Sequence, residues 1–143
     1  MDSELIFDVF NNIDAQEWWR DLEDSLGFIL LSNTIETAVI MAETKEPLEI
    51  TLCCQTLIAI ELWLALRGYA SNDLPDSMKQ WLARNQHLSL PIEIELNVEK
   101  AMRTIQYDSE WQQEWKHSIN YTQWLAQLDE MNQRINRCLQ DSN

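Results

Sequence analysis

Two glycines and three prolines are all that interrupt these 143 residues, and β-branched residues seldom alternate with polar ones. A backbone with so few breakers and so little period-two patterning favours helices throughout. Short connections then set neighbouring helices antiparallel or at steep crossings. Apolar residues make up 45% of the chain and include seven tryptophans, enough surface to close a core without disulfides or metal. The expectation is all-α: a single compact irregular bundle of about six helices spanning residues 1–143.

Asp14 followed by Glu17 has capping-box spacing and opens a helix over Ala15–Leu26 that stops near Gly27. Its inward stripe is Leu22, Leu26, Ile29 and Leu30. Asn33 and Glu36 repeat the cap spacing for a short helix to about Glu43, broken at Lys45–Glu46–Pro47. The next helix runs from about Glu49 to Tyr69, ending at Gly68 or just beyond. It is apolar on nearly every side between Leu57 and Leu66, which marks a central helix. That ten-residue run, interrupted by Glu61, is too short to span a bilayer. Asn72–Asp73–Leu74–Pro75 restarts a helix near Asp73 or Leu74 that reaches about Arg84 with Met78, Trp81 and Leu82 inward. Pro91 stands in the first turn of another, where Ile92, Ile94 or Leu96, Val98, Met102 and Ile105 keep helical spacing to about Tyr107. Ser109 caps Glu110–His117. A last helix, about Asn120 to Leu139, carries Trp124, Leu125, Leu128, Met131, Ile135 and Leu139.

Of the three cysteines, adjacent Cys53 and Cys54 would point about 100° apart on a helix, and with Cys138 the count is odd. Both facts argue against a disulfide framework and for a reducing compartment. No basic stretch followed by an apolar run opens the chain, so a secretory signal is not expected and the cytoplasm is.

The formal charge is −14, and it is unevenly placed. Twelve acids and only two bases, Arg20 and Lys45, lie in residues 1–49, a net −10, whereas residues 50–143 carry −4. Such a field repels nucleic acid and anionic membranes and speeds encounter with a basic protein. A solvated, solubilising face is the plain alternative. Like charges at this density repel and cost stability, so a docking surface is the sharper reading. Its expected residues are Asp14, Glu17, Trp18, Trp19, Asp21, Glu23, Asp24, Glu36, Glu43 and Glu46, with Asp2, Glu4, Asp8 and Glu49 adding to the field. Arg20 screens its acidic neighbours.

Little in the chain suggests catalysis. His87 and His117 stand apart, with no second histidine and no Cys-x-x-Cys to complete a metal site. Gly27 and Gly68 are isolated, so no phosphate loop is present, and Glu93 and Glu95 would face different sides of a helix. Catalytic residues, metal and cofactors are therefore not expected.

Glu61, among Ile60, Leu62, Trp63 and Leu64, must be paired or confined to a narrow exposed strip. A salt bridge with Arg67, Arg103 or Arg134 that fixes the packing is the structural reading, and an acid serving a pocket is the functional one. Trp18 and Trp19 cannot share one stripe, so one packs inward while the other is covered by Leu5–Phe10 or stays as an aromatic anchor for a partner. Trp111 and Trp115, four apart, share a face and close the core against the last helix.

The run Phe10–Asn11–Asn12–Ile13–Asp14–Ala15–Gln16–Glu17–Trp18, followed by Asp21–Leu22, resembles the N-terminal signature of the bacterial domain of unknown function 4259 family. Phe10, Asn12, Ala15 and Trp18 match that signature and Glu17 keeps its acidic position. Asn11 replaces the usual Asp, Ile13 breaks the acidic pattern, and Leu5–Val9 stands where members have a Gly- and Trp-rich opening. The resemblance continues through Ala59, Glu61, Ala65, Gly68, Leu74–Pro75 and Trp81 to Ala101, Ser109–Glu110, Trp111 and Trp124. It implies a compact helical domain with Glu61 as a shared structural position, and it supplies no activity. Domains of this sort often sit beside toxins or in defence systems, which is analogy only.

The function expected is therefore a non-enzymatic acidic binding protein, an immunity- or antitoxin-type inhibitor of a basic toxin such as a nuclease, touching neither nucleic acid nor membrane. The sequence does not fix its oligomeric state, though a monomer is favoured. A nucleic-acid mimic that captures DNA-binding proteins, and a structural or regulatory domain acting by self-association, are the alternatives.

Overall fold

A computed structural model of the chain describes residues 8–25, 28–44, 46–88 and 90–141. Among them are seven helices, against the expected count of about six: α1 Ile13–Glu23, α2 Ile29–Ala42, α3 Ile50–Leu66, α4 Asp76–Arg84, α5 Glu93–Tyr107, α6 Glu110–Trp115 and α7 Tyr121–Asp141. The all-α expectation holds, and α3 organises the bundle as its apolar run requires. Thr56 to Leu64 are buried without interruption, and α3 packs against each of the other six helices. The most extensive pairing between helices is α2 with α5. No helix among the described residues is long and apolar enough to cross a membrane.

Several boundaries differ from the sequence reading, each for a local reason. The cap of α1 is Asn12, whose side chain accepts from the Ala15 N–H at 2.9 Å, and Asp14 sits in the first turn. Helix α2 starts at Ile29, ahead of the cap-like Asn33 and Glu36, because Leu31, Thr34, Ile35 and Ala38 form one buried face that begins before them. Ile29 and Leu30 thus belong to α2 instead of continuing α1. Helix α1 ends at Glu23 with Asp24 as its C-cap, short of the expected stop near Gly27; Leu26 and Gly27 themselves, like Lys45 and Ser89, lie outside the described residues. Helix α4 starts only at Asp76, after Pro75. In α5, Ile94 is the buried member of its pair and Leu96 is exposed.

The end of α3 is a Schellman motif, in which Tyr69 N–H donates to Leu64 C=O and Gly68 N–H to Ala65 C=O. Gly68 takes the left-handed φ of +92° that this turn demands. Ser109 caps α6 as expected, accepting from Gln112 N–H at 3.0 Å, though the helix stops at Trp115. Trp111 and Trp115 pack on Trp124 of α7, one edge-on and one stacked. Along α7 the buried positions Trp124, Leu128, Met131, Ile135 and Cys138 keep the alternating four- and three-residue step of one stripe. All three cysteines are buried, and none of them forms a disulfide.

Away from the helices, Leu48 N–H donates to Asp108 C=O and Glu110 N–H donates to Leu48 C=O, forming a parallel bridge between Leu48 and Ser109. The bridge ties the segment before α3 to the joint between α5 and α6.

Candidate functional site

Helix α1 buries Ala15, Trp18, Trp19 and Leu22. Trp18 donates from Nε1 to Thr34 Oγ1 of α2 at 2.9 Å, while Trp19 meets Trp81 of α4 edge-on at 6.2 Å. Both tryptophans are therefore core residues, and the expectation of one as an anchor for a partner is corrected. Adjacent positions point about 100° apart, but α1 has protein on both flanks, so each ring finds its own neighbour.

On the opposite side, Asp14, Glu17, Asp21 and Asp24 recur at steps of three, four and three, which keeps them within one helical row. The row runs about 15 Å along the axis. Glu17, Asp21 and Asp24 are exposed and Asp14 is half-buried. Among the described residues none of the four enters an ion pair. Glu23 is also exposed but lies about 100° around the helix from Asp24, off the row. Three of these acids oppose the helix itself. Asp21 and Glu23 lie in the last turn and Asp24 is the C-cap, where the partial negative charge of the helix end disfavours carboxylates.

The remaining predicted acids fall elsewhere. Glu36 on α2 and Glu43 at its C-cap are exposed seven residues apart, on the same outward face as Ile29 and Ile40. Glu46 belongs to a third group. With Glu49 and Glu110 it rims a cavity of about 530 Å³ whose other walls are Thr37, Met41, Thr44, Pro47, Leu48 and Leu52. Among the described residues most of these acids thus fall into two helical rows and a cavity rim, with Glu23 off the rows and Asp8 at a larger cleft. Nothing in the sequence marks Glu110 as part of that rim, because Ser109–Glu110 reads only as a helix cap and the Leu48–Ser109 bridge has no sequence signal.

A larger cleft of about 1050 Å³ opens between the 8–11 segment, α1, the 71–75 loop and α7. Trp19 and Met78 line it, and Glu61 and Arg134 lie at its floor. Arg134 binds both Glu61 oxygens, at 2.8 and 2.7 Å, selecting one of the three arginines that the sequence offers. Burial raises the Glu61 carboxyl above the usual range, against the opposing pull of the Arg134 hydrogen bonds. Burial alone would lower Arg134, but Glu61 and Glu130 more than reverse this and hold it charged. No histidine or cysteine lines this cleft among the described residues, and no group of side chains there or elsewhere among them is arranged to hold a metal ion.

No curated protein and no solved structure matches the chain. Across residues 7–127, most of its length, it matches the model of the domain of unknown function DUF4259.

Proposed function

Because the chain belongs to the DUF4259 family, which brings no known activity, we propose a function from its own surface: a non-enzymatic acidic binding protein that recognises a basic protein. The specific form of this reading is an immunity- or antitoxin-type inhibitor that covers a basic toxin, a nuclease being a suitable target, in the cytoplasm.

One observation carries it. Asp21, Glu23 and Asp24 stand at the C-terminal end of α1, exposed, where each works against the helix dipole. At that end they cost the fold, and with exposed Glu17 they contribute nothing to its core; Asp14, in the first turn, adds to the same field from a place where the dipole favours an acid. Charge kept at such a place is best accounted for by a partner of opposite sign, whose approach it would steer. The non-enzymatic reading is supported at the large cleft. There Arg134 is fully engaged by protein acceptors, and both oxygens of Glu61 accept from it.

The test is binding to the product of an adjacent gene, with growth rescue on co-expression as the measure of inhibition. Reversal of Glu17, Asp21 and Asp24 to Lys slows association and flattens its salt dependence. Unchanged association would remove α1 from the interface. Recovery of many DNA-binding proteins at low salt would favour mimicry, and recovery of none would favour self-association.

A further inference from the structure

We propose that the cavity rimmed by Glu46, Glu49 and Glu110 is a subsite for one basic side chain of the partner, arginine foremost. The subsite rests on the reading of the protein as a binder of a basic partner, and it names where that partner is gripped.

The cavity has two chemistries in one place. Met41, Pro47, Leu48 and Leu52 give it apolar walls, and three glutamates stand at its edge. An aliphatic stem ending in a cation fits that combination, since methylenes lie on apolar surface while the charged head stays at the wet rim. Among the described residues none of the three glutamates enters an ion pair. Backbone bonds hold the rim in place: Glu110 N–H donates to Leu48 C=O at 2.8 Å, and Leu48 N–H donates to Asp108 C=O.

The last turn of α2, which supplies Met41, contains no basic residue, so the partial negative charge of that helix end adds to the carboxylates. Glu49 and Glu110 also adjoin the N-termini of α3 and α6, where acids are ordinarily favourable. Glu46 has no such local reason to be there. The rim glutamates form no metal-holding group among the described residues. A guanidinium, with five donors in a planar fork, can engage two carboxylates at once; an ammonium is a point charge.

The experiment titrates N-acetyl-arginine methylamide into the full-length chain, labelled with ¹⁵N and with ¹³C at methionine methyls. The neutral citrulline analogue serves as control. The result expected is a saturable shift of the Met41 methyl and of the amides of Thr44, Glu46 and Glu110, absent with citrulline. Affinity falls at least tenfold in the Glu46→Gln/Glu49→Gln/Glu110→Gln variant. Met41→Ala, with the rim intact, weakens binding too and serves if the triple variant does not fold. The titration is repeated with Lys45→Ala, whose ammonium neighbours Glu46 in sequence. Saturable binding in neither background overturns the proposal, as do equal shifts with citrulline or shifts spread evenly over the acids of α1. The blocked arginine needs no partner, so this outcome is separable from that of the α1 reversals. Slowed partner association with a silent cavity would leave the binding function standing and the subsite refuted.

Discussion

The guanidinium of Arg134 meets the carboxylate of Glu61 edge to edge, Nη1 2.8 Å from one oxygen and Nη2 2.7 Å from the other, across 73 residues of chain. Its remaining N–H groups are also used. Nε and Nη2 donate to Glu130, and Nη1 donates to Tyr69 C=O. A guanidinium has five N–H donors, and all five are spent within the protein. The pair therefore fastens α7 to α3, and Arg134 has no donor left for a ligand.

Removing one partner strands the other as a buried charge. Arg134→Leu should lower stability by about 3–5 kcal/mol, read as a reduced urea midpoint at constant m value. The double variant Glu61→Leu/Arg134→Leu should recover much of that loss, since two apolar residues need no compensation. Additive losses in this cycle would show that the two side chains act independently.

Trp19 offers a direct choice between core and interface. As a buried ring against Trp81, its replacement by Ala should cost about 3–5 kcal/mol. A partner anchor would instead lose binding at unchanged stability. Trp18 gives a finer measurement, because Thr34 Oγ1 accepts from its Nε1 and donates to Leu30 C=O. Thr34→Val leaves the indole N–H unpaired and should cost about 1–3 kcal/mol. Combining it with Trp18→Phe should cost less than the separate losses summed.

Cys53 and Cys54 bear on pH. Burial pushes both thiols from 9.0 up to about 12. The folded state then keeps protons that the unfolded state releases, so this contribution to stability is intact below pH 9 and is lost as pH rises toward 12. The slope approaches about 1.4 kcal/mol per pH unit for each thiol in that window. Denaturation midpoints measured from pH 8 to 11 should fall accordingly, and iodoacetamide at pH 8 should label these positions only as the chain unfolds. Rapid labelling of native protein would mean that the thiols are accessible and ionised.

What the sequence discloses here depends on how far apart the interacting residues are. The buried stripe of α7 follows from its period, and the central place of α3 follows from its apolar run. Glu61 announces a buried pair by its neighbours, yet choosing Arg134 over Arg67 or Arg103 requires knowing how α7 crosses α3. The start of α2 is hidden because a cap-like Asn33–Glu36 spacing sits inside the helix, while the true start at Ile29 has no side-chain cap. On one helix alone, only one of Trp18 and Trp19 can face inward. The flanking helices that cover both rings are not visible at that level. The cavity at Glu46 is illegible for the same reason, since its rim closes through the Leu48–Ser109 bridge between distant segments.

The acids of α1 allow fold and function to be set against each other. Asp21 lies in the last turn and Asp24 at the C-cap, so placing Lys at both should relieve repulsion and suit the helix dipole, stabilising the fold by about 0.5–2 kcal/mol in low salt. The gain should shrink at 0.5 M salt, where the Debye length falls below about 5 Å. If these residues serve a basic partner, the same variant should associate with it at least tenfold more slowly and with a weaker salt dependence. A more stable protein that binds less well is the expected pairing, as where a surface is kept for function at the expense of stability. Gain of stability with association unchanged would mean that the row on α1 only keeps the protein in solution.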